Sequence, residues 1–243
     1  LALAEEFEKQ GNILFKYRGI IPILFVVIGI FALFYEIKYT TFFFRNNFTY
    51  DLFALGTTLF GLAIRFYTVG HSAKNTSGRN THGQVAESVN TTGIYSIVRH
   101  PLYLGNFLMW LGVAFLTQNP WFILAFIFIY WVYYERIMFA EEQFLRGKFD
   151  SEYTSWAAKT PAFLPKLSKF IKAKLPFNLA KSIRQEKTGI LLVFFAFFLF
   201  QSIENYFFSA DIFTNNFWLF AFIGAVGYYI VVKGLQMLGI LNN

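Results

Sequence analysis

Apolar residues in this chain gather in long runs rather than in stripes. GIIPILFVVIGIFALFY (19–35), YDLFALGTTLFGLAIRFYTVG (50–70), LYLGNFLMWLGVAFL (102–116), PWFILAFIFIYWVYY (120–134) and TGILLVFFAFFLFQSI (188–203) are nearly continuous, and a sixth run, 217–241, is broken only by Lys233 and Gln236. A helix needs about 20 mostly apolar residues to cross a bilayer. The pattern therefore predicts an all-α, polytopic membrane helical bundle with about six transmembrane helices. Pro22 falls in the first turn of its run, where a missing N–H matters little. Only TQN separates the third run from the fourth, which implies an antiparallel hairpin. Arg65 lies near the far end of the second run, where its side chain is expected to snorkel to the interface.

Composition agrees with this solvent. The 243 residues are 56% hydrophobic and 14% charged, against about 25% charged in ordinary soluble domains. Cysteine is absent, which excludes disulfides and thiolate metal sites, and no metal site is expected. The net charge of +7 does not call for nucleic acid. Lys9, Lys16 and Arg18 precede the first run, Lys74, Arg79 and Arg99 follow the second, and eleven Lys and Arg fall within 135–187. The opposite connections hold only Lys38 and Arg45 in 36–49 and none in TQN or 204–216. Six spans with both termini cytoplasmic satisfy the positive-inside rule. The opening LALAEEFEKQG is too acidic for a signal peptide. With no internal repeat, 1–243 is expected to be one membrane domain.

Two segments fall outside the runs. In KLSKFIKAKLPFNLAKSIRQEK (166–187), Leu167, Phe170, Ile171 and Leu175 recur at helical spacing among lysines. That spacing predicts an amphipathic helix in the headgroup layer, stopped near Pro176; a plain positive-inside loop explains the charge but not the stripe. The stretch 71–93 is long, polar and without apolar pattern, as functional or disordered loops are. Its Asn-x-Ser/Thr triplets at Asn75 and Asn90 fall on the predicted cytoplasmic side and say little.

Candidate chemistry sits at the predicted cytoplasmic ends of the hairpin. In GIYSIVRHPLYLGN (93–106), Pro101 suits the first turn of the third helix. That would leave Arg99 and His100 beside an amide-rich terminus that attracts anions. Tyr103 and Gly105 lie just inside, and Gly105 would let another group approach the backbone closely. A helix cap with a snorkelling arginine explains the same residues. Glu135, Glu141 and Glu142 lie where the fourth helix leaves the membrane, a costly place for carboxylates unless they function. Glu142 also precedes Arg146 by four positions, an exposed pair worth only tenths of a kcal/mol.

Taken together, RHPLYLGN, a hairpin, EEQFL, FDSEYTSW and TPAFLP resemble the isoprenylcysteine carboxyl methyltransferase and phospholipid N-methyltransferase group of integral membrane enzymes, over about residues 90–165. Leu145, Tyr153, Pro161 and Pro165 fit the pattern, and Asp150 replaces its glycine after Phe149. The resemblance implies S-adenosylmethionine as cofactor and a cofactor site at the cytoplasmic face. By position, Tyr95, His100, Pro101, Tyr103, Leu104 and Gly105 would line that site, with Glu141 and Glu142 closing it. Glu142, Lys159 and Arg99 are the expected catalytic residues, Lys159 standing where prenylcysteine methyltransferases have an arginine. The expected partner is a lipid or lipidated acceptor from the bilayer. Residues 188–243 form a helix pair beyond the usual end of the pattern.

Two other functions compete. NADPH-dependent membrane reductases of sterol type share a cytoplasmic hairpin and an Arg-His-x-x-Tyr-x-Gly motif, often followed by Asp. Asn106 stands there in this chain, and the paired glutamates fit the methyltransferases better. A non-catalytic assembly factor or transporter predicts polar residues deep in several spans, and the third to fifth offer almost none.

Overall fold

The structure is a computed structural model and describes residues 2–39, 48–73, 76, 84–209 and 216–241. Lys74, Asn75 and the polar segment 77–83, with Arg79, lie outside the described residues, as do Arg45 and Asp211. Among the described residues there are seven α-helices: α1 (Leu3–Tyr17), α2 (Ile21–Tyr39), α3 (Phe48–His71), α4 (Pro101–Phe115), α5 (Pro120–Ala157), α6 (Leu179–Ser209) and α7 (Asn216–Met237). No strand occurs among them beyond one antiparallel bridge, Gly93 with Ile171. Each predicted run is a helix. Five are long and apolar enough to span a membrane, and α4, with 15 residues, is apolar but shorter. Phenylalanines 31, 60, 128 and 220 point outward at 61–68% exposure, as residues solvated by hydrocarbon do.

Close backbone contact positions α4. A Cβ on Gly61 would stand 2.5 Å from the Gly105 carbonyl oxygen, so only glycine lets α3 and α4 approach so nearly. The α4–α5 turn is fastened by Asn119, whose side chain accepts from Phe122 N at 2.8 Å, with Pro120 opening α5. Two aromatic and aliphatic clusters fill the bundle. One joins Phe15 to Tyr103, Tyr130, Tyr134 and Ile137; the other joins Leu33, Met109 and Val113 to Phe197, Phe200 and Trp218.

Several elements differ from their predicted form. The fourth run continues past residue 134 to Ala157 as one 38-residue helix, about 57 Å long at 1.5 Å per residue. Its polar end is kinked at Asp150, which has φ 40° and ψ −112°. That is the position where glycine was expected, and glycine accepts this backbone without strain. The fifth run begins nine residues early, at Leu179, because its charged first turns find partners. Asn178 Oδ1 accepts from Lys181 N at 2.8 Å, and the Lys181 ammonium donates to Ser72 O at 2.8 Å, at the end of α3. Hydropathy alone reads such charges as loop.

The amphipathic helix expected over 166–187 is not formed. Residues 166–178 contain one 3-10 turn, Leu167–Lys169, and otherwise run as an irregular strap with Leu167 and Ile171 exposed. Outside that turn, its backbone bonds to the segment before α4. Gly93 N donates to Ile171 O at 2.8 Å, Lys166 N to Ile97 O at 2.9 Å, and Ile171 N to Ser96 Oγ at 2.8 Å. Pro165 and Pro176 confine any helix between them to fewer than three turns. The first helix, α1, went unpredicted. It lies along α5 at Gly11, where a Cβ would meet the Arg136 carbonyl, and Tyr133 Oη donates to Leu14 O at 2.7 Å.

Candidate active site

Pro101 opens α4 as predicted, with His100 as the preceding cap residue. The segment before it is pinned on both sides. Arg99 N donates to Pro161 O at 2.8 Å and His100 N to Ala162 O at 3.2 Å, so the TPAFLP stretch closes over the RHP triplet. The polar extension of α5 then brings Glu141 and Glu142 against the start of α4. Tyr103 Oη donates to Glu141 Oε1 at 2.7 Å, and His100 Nδ1 lies 3.6 Å from Glu141 Oε2. On its other side, His100 Nε2 donates to Glu142 Oε1 at 2.9 Å, and Arg99 Nε lies 3.2 Å from that same oxygen. Two motifs 40 residues apart in sequence thus form one chain of charge-assisted contacts.

Electrostatics follow from burial. Burial alone would lower the His100 pKa, but hydrogen bonds and charge from Glu141 and Glu142 outweigh it and hold the imidazolium above the ordinary value. The Tyr95 phenol is pushed up by burial and by the nearby Glu141 charge. Trp156 Nε1 donates to Tyr95 O at 3.2 Å, fixing the short turn that carries Tyr95.

These groups border a cavity of about 440 Å³, within the size range of small-molecule sites. Tyr95, Arg99, His100, Pro101, Tyr103 and Glu141 all line it. Other expected residues do not. Glu142 sits behind His100 and Arg99, acting on the cavity through them. Leu104 packs in the α1–α4–α5 core, and Gly105 faces α3, where its Cβ would stand 2.5 Å from Arg65 Cγ. Lys159 is exposed, outside the lining, and its carbonyl accepts from Lys169 Nζ. The partners of Glu142 are His100 and Arg99 rather than Arg146, and Glu135 pairs with Arg136 at the surface.

The lining also contains residues the motif pattern missed. Phe15 and Arg18 come from α1 and its exit, Tyr134 from α5, and Gln185 and Glu186 from α6. Arg65 does not snorkel. It turns into the bundle, where Nε and Nη2 donate to Glu186 Oε2 and Oε1 at 2.8 and 2.7 Å, and Nη1 donates to Asn106 Oδ1 at 2.8 Å. An arginine and a glutamate at the edges of two apolar runs were the available signal. The cavity follows α4 from Tyr103 to Trp110, about 10 Å of helix rise. Charged groups crowd its outer end, and Met109 and Trp110 line its inner one.

Fold and site together define a multi-pass helical membrane protein with a histidine–carboxylate–tyrosine cluster at one end of an internal cavity. Residues 50–152 match the phospholipid methyltransferase family model. The chain is 33% identical to a protein-S-isoprenylcysteine O-methyltransferase of Saccharomyces cerevisiae over 42% of each chain. It is 30% identical to a Schizosaccharomyces pombe protein of the same name, over 50% of this chain and 53% of that one. It is also 34% identical to the cobalt-zinc-cadmium resistance protein CzcN of Cupriavidus metallidurans, over 46% of this chain and 50% of the relative. No solved structure matches significantly. Over this segment the chain is similar to the phospholipid methyltransferase family and to protein-S-isoprenylcysteine O-methyltransferases. The chain spans about half the length of the curated relatives it matches.

Proposed function

We propose that this protein is an S-adenosylmethionine-dependent methyltransferase acting on a lipid or lipidated acceptor at the cytoplasmic membrane face. The observation that carries the reading is the Tyr103–Glu141–His100–Glu142–Arg99 network bordering a cavity, inside the segment that matches the family. The donor set fits this cofactor. When bound, S-adenosylmethionine supplies an electrophilic methyl group, passed to an acceptor lone pair with the bonding electrons left on sulfur. Glu141 and the faces of Tyr95, Tyr103 and Tyr134 suit a sulfonium and an ammonium. Arg99 and the first amides of α4 suit a carboxylate. His100, held between two glutamates, fixes both carboxylates in place and keeps Glu141 from turning away from the cavity. Phe15, Arg18, Gln84, Val85 and Ala86 also border the cavity. A carboxylate acceptor needs no base; a hydroxyl or amine would give its proton to Glu141.

Calorimetry on the purified chain in lipid nanodiscs tests this. S-adenosylhomocysteine should bind with one-to-one stoichiometry, and Glu141→Gln should weaken it by about one to two decades, the loss of one charged hydrogen bond. Binding of NADPH with none of S-adenosylhomocysteine would put a reductase in its place.

A further inference from the structure

The inner wall of the cavity is built partly by residues beyond the family-matched segment. Glu186 on α6 is 1% exposed, and both of its oxygens are engaged by the Arg65 guanidinium from α3. Asn106, one residue after the close α3–α4 crossing at Gly105, takes the third guanidinium nitrogen. Arg65, Asn106 and Glu186 all border the cavity beside Met109 and Trp110. A pair serving only to fasten α3 to α6 would have no reason to stand in a cavity wall. That fastening is supplied nearby, where Ser182 Oγ donates to Phe66 O at 2.9 Å and Lys181 binds the end of α3.

Seen from the cavity, a bidentate arginine–carboxylate pair is close to neutral. It keeps spare N–H groups and lone pairs for hydrogen bonding but exerts little net pull on an ion. The apolar side chains beside it lower the local dielectric, so an ion entering there loses hydration without gaining a counter-charge. An uncharged hydroxyl head meets neither penalty, and an aliphatic tail can lie against Met109 and Trp110.

We propose that Glu186 is a specificity-determining positioning residue: by neutralising Arg65 it makes the inner end of the cavity an acceptor subsite for an uncharged polar head on an aliphatic tail, and closes that end to carboxylates. Naming the ligand of that end as the acceptor rests on the methyltransferase reading. Methylation of a hydroxyl head forms a carbon–oxygen bond as the methyl–sulfur bond breaks, its electron pair remaining on sulfur, and the hydroxyl proton passes along the cavity to Glu141.

The test uses the full chain in nanodiscs with saturating S-adenosylhomocysteine and three probes of equal length: octan-1-ol, octanoate and octylamine. The parent should bind octan-1-ol at least tenfold more tightly than octanoate. Glu186→Gln leaves Arg65 unpaired, and should shift the octanoate-to-octanol affinity ratio at least tenfold toward octanoate. Arg65→Gln leaves the carboxylate unpaired, and should shift preference toward octylamine instead. The two single variants break a buried pair and threaten folding; the double variant Arg65→Met/Glu186→Met removes both charges and should keep the parent's preference for octan-1-ol. A purely structural pair would weaken all three probes together, and single variants with the parent's ratios overturn the proposal, as does a double variant that loses the preference for octan-1-ol. So does a parent that binds octanoate as well as octan-1-ol, or neither. Failure of S-adenosylhomocysteine to bind the parent strikes the methyltransferase reading instead, and the probe ratios, measured without it, still decide the role of Glu186.

Discussion

Replacing Glu142 by glutamine removes a charge without changing shape, and its effect separates two accounts of this residue. Glu142 Oε1 is 2.9 Å from His100 Nε2 and 3.2 Å from Arg99 Nε, with the carboxylate side chain 17% exposed. A hydrogen bond to a charged group contributes about 1.5–3 kcal/mol, so Glu142→Gln should destabilise the fold by about that much near pH 6. A helix-surface pair with Arg146 would predict only about 0.2–0.5 kcal/mol. The loss must also depend on pH. The folded pKa of His100 is raised above its ordinary 6.5. Its contribution is therefore fully present below 6.5 and fades as pH rises through the folded value. Unfolding of parent and variant in detergent from pH 5 to 9, with the His100 imidazole followed by NMR, measures both effects. Parent and variant stabilities should converge at high pH, without meeting, because the Arg99 contact stays. In the variant, His100 should titrate at lower pH than in the parent. Arg146→Ala should do neither. A Glu142→Gln protein with an unchanged His100 titration and a loss of only tenths of a kcal/mol would refute the reasoning.

Other changes test the frame around the site. Asp150→Gly should raise stability by about 1–3 kcal/mol, the usual size of such backbone strain, because Asp150 has φ 40°; Asp150→Ala should not, and thermal melts compare them. Gly61→Val should wedge α3 from α4, since even a Cβ would come within 2.5 Å of Gly105 O, costing about 1–3 kcal/mol or more and lowering S-adenosylhomocysteine affinity by calorimetry. A cysteine at the exposed Lys172 should be labelled only from the cytoplasmic side, and labelling from outside intact cells would overturn the proposed orientation.

Where an element answers to its solvent, it was legible in the residues alone. Six apolar runs are six helices because a backbone in hydrocarbon must satisfy its own hydrogen bonds, whatever its neighbours are. Pro101 starts α4 because proline has no N–H to place elsewhere, and Gly105 stands at a close crossing because it has no Cβ. The RHP and EE motifs could be joined through the resemblance, and Arg99, His100, Tyr103 and Glu141 do come together.

What the residues alone could not decide were the pairings between segments distant in sequence. Helical spacing over 166–175 pointed to an amphipathic helix, yet the backbone there bonds to residues 92–97, a choice set by the partner and not by the segment's own period. Charges in 179–187 read as loop until Ser72 and Arg65 supplied their partners. Arg65 itself could reach either water or Glu186, and only the packing of α6 on α3 decides between them. Which of two adjacent glutamates faces the cavity is likewise a matter of helix rotation: successive residues lie about 100° apart around an α-helix, and the contacts of α5 turn Glu141 inward and Glu142 toward His100 and Arg99.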